Sequence, residues 1–225
     1  MDISSAHKSS YYQKLQWVDT VPKVTRAVKE LKKQKEIALD CEGFSLGRKG
    51  TLDIVTIGTM NKKVFLFDIT QLKSTAFDHG LRDLLQSDRD TMTKLMFDCR
   101  NDSDALLHLF NVKLVGVLDL QVVDYLRRKG MKKGNEDPVA IRGLDKIIDG
   151  GVASLKSRIG DQIKNASIRG QNIWIARPLG PELENYCALD VLKLFEIRKV
   201  FKNTIKKKGN EMFGESKKRL ASERL

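Results

Sequence analysis

Hydrophobic and polar positions along this chain follow two periods in turn. Between Val18 and Leu31, the apolar Val24, Ala27, Val28 and Leu31 recur at helical spacing behind Asp19 and Thr20, which predicts a capped amphipathic helix. Glu36 to Glu42 is a short apolar run that reads as a buried strand, and the glycine-rich Phe44 to Gly50 reads as a turn. Leu52 to Met60 and Lys63 to Ile69 flank Asn61-Lys62 as the two arms of a hairpin. A helix over Phe77 to Leu85, a strand over Lys94 to Phe97 and a helix over Ser103 to Phe110 follow, then a strand over Leu114 to Leu118 and a helix over Asp119 to Lys129. Three consecutive strands followed by alternating units predict an α/β fold. Its five-stranded mixed sheet would be antiparallel on one side, parallel on the other, and flanked by helices. A last long helix is predicted from Leu179 to about Lys207.

Charge changes what such a fold is for. The 225 residues carry 41 Lys+Arg against 29 Asp+Glu, a formal net charge of +12, while 41% are hydrophobic. That length and apolar content suit one domain with appendages, and the basic excess points to a polyanion, most simply nucleic acid. There is no apolar run long enough to span a membrane, and the polar Met1 to Ser10 lacks the apolar core of a signal peptide. Cys41, Cys99 and Cys187 have no zinc spacing and read as small packing residues in a reduced, intracellular chain. The bases cluster at Arg127, Arg128, Lys129, Lys132 and Lys133, and again at Lys156, Arg158, Lys164 and Arg169. Residues 206–225 add seven bases and three acids, and are expected to form a tail that is a frayed helix or disordered, either solvated or tracking phosphates.

Within this basic chain, a few acids stand where acids are costly. Asp40 and Glu42 end an apolar strand two residues apart, so they share one face. Such a pair at a buried strand end calls for a cation between the two carboxylates. Tyr186 and Asp190 lie one turn apart on one face of the last helix. Asp98, Asp102 and Asp104 crowd the junction of a strand and a helix. Asp102 also suits a helix cap. Brought together, Asp40, Glu42, Asp102 and Asp190 would be a hard oxygen ligand set for two Mg²⁺ or Mn²⁺ ions of the kind that serve phosphoryl displacement.

The order of these segments resembles the DEDDy branch of the 3′–5′ exonucleases, the group of ribonuclease D and the Werner exonuclease. Ile37-Ala38-Leu39-Asp40-Cys41-Glu42 resembles the first motif and Asp98-Cys99-Arg100-Asn101-Asp102-Ser103 the second. Trp174-Ile175-Ala176-Arg177-Pro178-Leu179, followed by Tyr186-x-x-x-Asp190, resembles the third. The second string and Cys41-Glu42-Gly43 are most similar to the Egalitarian-like subgroup, which includes adaptors as well as enzymes.

The resemblance spans about residues 16 to 202 and implies a ribonuclease-H-like fold, with an exonuclease domain over 16–205 between an N-terminal extension (1–15) and the basic tail (206–225). It also implies roles. Asp40 would bridge two metal ions, Glu42 and Asp190 would hold the ion that activates water, Asp102 would reach the second ion, and Tyr186 would orient the water. Nucleoside 5′-monophosphates would leave from a 3′ end, of RNA in preference to DNA. The non-catalytic alternative is an RNA-binding adaptor, and a protein partner is left open. Phe44, Arg48, Arg100, Arg127, Arg128, Lys132, Lys133, Lys156 and Arg158 are the candidate nucleic-acid contacts, Phe44 as a wedge against a terminal base.

Overall fold

A computed structural model describes residues 14–131, 140–147 and 150–221, with the backbone alone for 150–156. Lys132, Lys133 and the side chain of Lys156 therefore lie outside the described residues. The chain runs β1 (Lys14–Val18), α1 (Val21–Leu31), β2 (Glu36–Glu42), β3 (Ile54–Gly58) and β4 (Lys63–Asp68). The short helices α2 (Ile69–Leu72) and α3 (Ser74–Ala76), a π turn (Phe77–Leu81) and α4 (Arg82–Gln86) come next. They are followed by β5 (Thr93–Met96), α5 (Arg100–Phe110), β6 (Val117–Asp119) and α6 (Leu120–Lys129). The last helices are α7 (Gly150–Ile168), α8 (Pro181–Val200) and α9 (Lys202–Leu220).

The sheet is mixed and six-stranded, in the order β1-β4-β3-β2-β5-β6. The hairpin β2-β3-β4 is antiparallel, while β1 pairs parallel with β4, and β5 and β6 extend β2 in parallel. The architecture is the expected one with a strand added. β1 escapes the periodicity because only Leu15 and Trp17 mark its alternation, and because it sits at a sheet edge where one neighbour suffices.

Strand alternation sorts side chains into two cores. Ile37, Leu39 and Cys41 of β2 join Val55, Ile57, Phe65 and Phe67 beneath α1 and the α2–α5 side. Ala38 joins Ile54, Val64, Leu66, Leu95 and Leu118 beneath α8 and its neighbours. Asp40 and Glu42 follow Ala38 in phase, so the strand delivers both acids to the face that α8 covers. α8 lies close on that face because β3 ends in Gly58. A Cβ there would come within 2.8 Å of Val191 Cγ2, next to Asp190.

Two expectations change at the C-terminus. The long helix from Leu179 to Lys207 is two helices, with a break at Phe201, whose side chain is buried in the second core under the Arg127 guanidinium (5.1 Å). The segment expected as a frayed tail after 206 continues α9 to Leu220. It is held because Met212 and Ser216 are fully buried at i, i+4 spacing. Among the described residues, no helix is long and apolar enough to cross a membrane.

Candidate active site

Asp40, Glu42, Asp102, Tyr186 and Asp190 line one cleft of about 540 Å³. Ligand oxygens of Asp40, Glu42 and Asp190 all lie within 4.8 Å of one another, two from β2 and one from α8. Three partly or fully buried carboxylates at this spacing are strongly repulsive without a cation. Oxygen-only donors fit Mg²⁺ or Mn²⁺ better than a soft metal.

Asp102 enters from the opposite wall. It stands in the first turn of α5, where Cys99 holds the cap position, and it is buried. Its Oδ1 accepts the backbone N–H of Cys41 at 2.9 Å, which ties α5 to the residue between the two β2 acids. Burial, then the charge of Asp40, pushes its carboxyl well above the usual range.

The two rival acids each meet an arginine, although Asp98 also lines the cleft. Asp98 accepts both Arg100 Nε (2.6 Å) and Nη2 (3.0 Å). Asp104 accepts the backbone N–H of Arg48 at 2.7 Å and its guanidinium at 2.6 and 2.8 Å, clamping the loop that follows β2.

The Asp102 segment depends on a polar node. Asp98 has a left-handed backbone (φ 58°), a conformation that a short polar residue tolerates when its amide is held. The holder is Asp119, fully buried at the end of β6. Its carboxylate accepts the N–H groups of Asp98 (3.0 Å), Cys99 (3.3 Å) and Gln121 (2.9 Å). From α9, Arg219 donates to Asp119 at 3.1 Å and to the Gln121 side chain at 2.5 Å. The Ser216 hydroxyl accepts the N–H of Asp119 at 3.0 Å, and Ser103 donates to the Leu220 carbonyl at 3.0 Å. Ser216 and Arg219 were not among the sequence candidates. The only signal for them was the i, i+4 recurrence of Met212, Ser216 and Leu220 within a run dominated by lysine.

The Tyr186 side is held differently. Its ring packs against Trp174 with centroids 6.3 Å apart. Trp174 is buried, and its backbone N–H is accepted by the Asn172 side chain, which in turn donates to Asp53 at 2.9 Å. Thr51 also donates to Asp53, and its hydroxyl accepts the N–H of Phe44 at 2.8 Å, so the loop after β2 and the approach to α8 are linked. Gly43 begins that loop because a Cβ there would lie 2.0 Å from the Thr51 carbonyl oxygen. Arg177 anchors the same approach through two bonds to buried Asp68 (2.5 and 2.6 Å) and lies over the Trp17 ring. Burial, aided by Glu42 and Asp40, pushes the Tyr186 phenol far up, so it stays protonated.

The candidate nucleic-acid contacts fall elsewhere. None of Phe44, Arg48, Arg100, Arg127, Arg128 and Arg158 lines the cleft. Phe44 is half-buried. Arg127 and Arg128 surround buried Asp124 together with Arg142, which secures residues 140–142 to α6. Arg158 is exposed and 3.1 Å from Glu182. Cys41, Cys99 and Cys187 are buried thiols outside any disulfide, and burial pushes the first two well up, as befits packing residues.

The sequence profile of the 3′–5′ exonuclease family matches residues 15–206. Among curated proteins, piRNA biogenesis protein EXD1 of Mus musculus is 32% identical over 179 residues, 77% of this chain and 30% of that protein. Its Homo sapiens counterpart is 32% identical over 174 residues, 76% and 33% of the two chains. The chain thus spans about a third of these relatives' length. Among solved structures, ribonuclease D of Trypanosoma brucei in complex with RNA U12 superposes with a TM-score of 0.68 at 31% identity. The match covers 84% of this chain and 62% of that one. The Nibbler exonuclease domain of Aedes aegypti shares the fold, with a TM-score of 0.61 at 20% identity, covering 93% and 99%.

Proposed function

The chain belongs to the 3′–5′ exonuclease family, and on that premise we propose that it is a divalent-metal-dependent 3′–5′ exonuclease. Its favoured substrate is RNA, and it releases nucleoside 5′-monophosphates. The observation that carries this reading is the convergence of Asp40, Glu42 and Asp190 within 4.8 Å, with Asp102 facing Asp40 from the other wall. Asp40, Glu42 and Asp190 would hold divalent metal between them beside Tyr186, and Asp102 would add a fourth carboxylate from the α5 side. Bound there, the ions would supply charge stabilisation for the attacking and leaving oxygens of an in-line phosphoryl displacement. Tyr186 keeps its proton, so it acts on the attacking water as a hydrogen-bonding guide and not as a base. RNA is favoured because a relative 31% identical was solved with an RNA oligonucleotide.

The test is a time course on single-stranded RNA and DNA labelled at either end, with Mg²⁺, with Mn²⁺ and with EDTA. A 5′-labelled RNA should shorten stepwise with metal and persist in EDTA, while a 3′ label should leave at once as mononucleotide. RNA that is bound but left intact under both ions would replace the enzyme with an adaptor.

A further inference from the structure

A second groove lies between α5, the approach to β6 and α9. It holds about 770 Å³ and shares no lining residue with the acidic cleft. Its floor is aliphatic and aromatic: Leu107, Leu114, Val117, Phe213 and Leu220, with Leu107 40% exposed. Its rim is basic. Arg89, Lys113 and Lys217 line it against one acid, Asp88, whose carboxylate accepts the N–H of Thr91 at 2.8 Å. Arg89 reaches across the groove, with its guanidinium 5.2 Å from the Phe213 ring centroid and 3.1 Å from Asn210 Oδ1. It also lies 3.7 Å from exposed Asp90.

Gly214 adds an independent observation. It lies inside α9 on the groove wall, where glycine weakens a helix relative to alanine. A Cβ there would meet nothing within 4 Å among the described residues, so the groove wall is open at this point to the backbone of another chain.

We propose that this groove docks an acidic, aliphatic peptide segment of a protein partner. Its apolar side chains would fill the floor, its backbone would pass Gly214, and its carboxylates would meet Arg89, Lys113 and Lys217. Nucleic acid fits worse. Bases want open aromatic platforms, and the one ring among the described residues lining the groove, Phe213, is already covered by Arg89.

The experiment pans random phage-displayed peptides on the full chain, with counter-selection on Gly214→Leu. Enriched peptides should combine Asp or Glu with Leu, Ile or Phe. A synthetic copy should bind wild type about ten-fold or more tighter than Gly214→Leu, and about ten-fold or more tighter than the Lys113→Glu/Lys217→Glu double variant. Gly214→Leu should melt no lower than wild type, and oligouridine should not displace the peptide. The proposal is overturned by a failure to enrich discriminating peptides, by enriched peptides without acids, by binding that survives both variants, or by displacement with oligouridine.

Discussion

The two walls of the acidic cleft are held by different physics. On the β2–α8 wall, Asp40, Glu42 and Asp190 are positioned by apolar packing: strand alternation sets the face, and Gly58 against Val191 sets the approach of the helix. On the α5 wall, Asp102 is positioned by hydrogen bonds. Its segment hangs on buried Asp119, and Asp119 hangs on Arg219 and Ser216 of α9. Apolar packing is tolerant of small errors and gives way gradually, whereas a buried charged node fails as soon as one partner is lost. The α5 wall should therefore respond to changes far along the chain, and the β2–α8 wall only to changes in the layer it packs in.

The largest expected effect lies on the β2–α8 wall, at the acid that faces Asp102. Asp40→Asn should lower the rate of RNA hydrolysis by about 10³-fold or more while raising the melting temperature in EDTA, since it relieves carboxylate repulsion. A rate within about ten-fold of wild type would detach the reaction from this cluster.

Arg219→Met comes next and probes the polar wall. Removing the cation from buried Asp119 should cost about 3–5 kcal/mol in denaturant unfolding. Hydrolysis should also fall under conditions where the chain is still folded, and Arg219→Lys should restore part of it. Unchanged turnover in folded Arg219→Met would reduce α9 to a stabilising element.

Gly58→Ala probes the packed wall. The new Cβ would meet Val191 at 2.8 Å, an overpacking expected to cost about 1–3 kcal/mol. Adding Val191→Ala should recover most of that loss, and additive losses would argue against direct contact.

The smallest effect concerns β5, which pairs with β2 on one side and β6 on the other. Lys94 is fully buried there, and burial pushes its ammonium down from the ordinary 10.5 to about 8. The unfolded chain keeps that proton to about pH 10.5 and the folded chain only to about pH 8, so between those values stability should rise with pH. Lys94→Met should flatten that rise. The same slope in both proteins would assign it to other groups.

The difference between the walls also decides what could be read from the sequence. Asp40, Glu42, Tyr186 and Asp190 were legible because they interrupt strong apolar periods at fixed offsets, and periodicity places a residue on a face. The α5 wall was harder. Asp98, Asp102 and Asp104 are indistinguishable by type and nearly so by position. What separates them is the partner each one meets: Arg100 for Asp98, the distant Arg48 for Asp104 and the distant backbone N–H of Cys41 for Asp102. α9 looked like a solvated tail because its lysines outnumber its buried residues, and Ser216 and Arg219 matter only through contacts some hundred residues away. β1 escaped because only Leu15 and Trp17 mark its alternation at the sheet edge. The basic runs point to nucleic acid, and Arg127 and Arg128 also pair with the buried Asp124, a use that net charge cannot announce.

The central claim is that two differently held walls meet in one reaction centre, and the direct measurement is the single-turnover rate of RNA hydrolysis with Mn²⁺ for Asp102→Asn beside Asp104→Asn. The account predicts a loss of about 10²-fold or more for Asp102→Asn and a loss of less than about ten-fold for Asp104→Asn. Wild-type turnover in Asp102→Asn, or an equal collapse in Asp104→Asn, would contradict it.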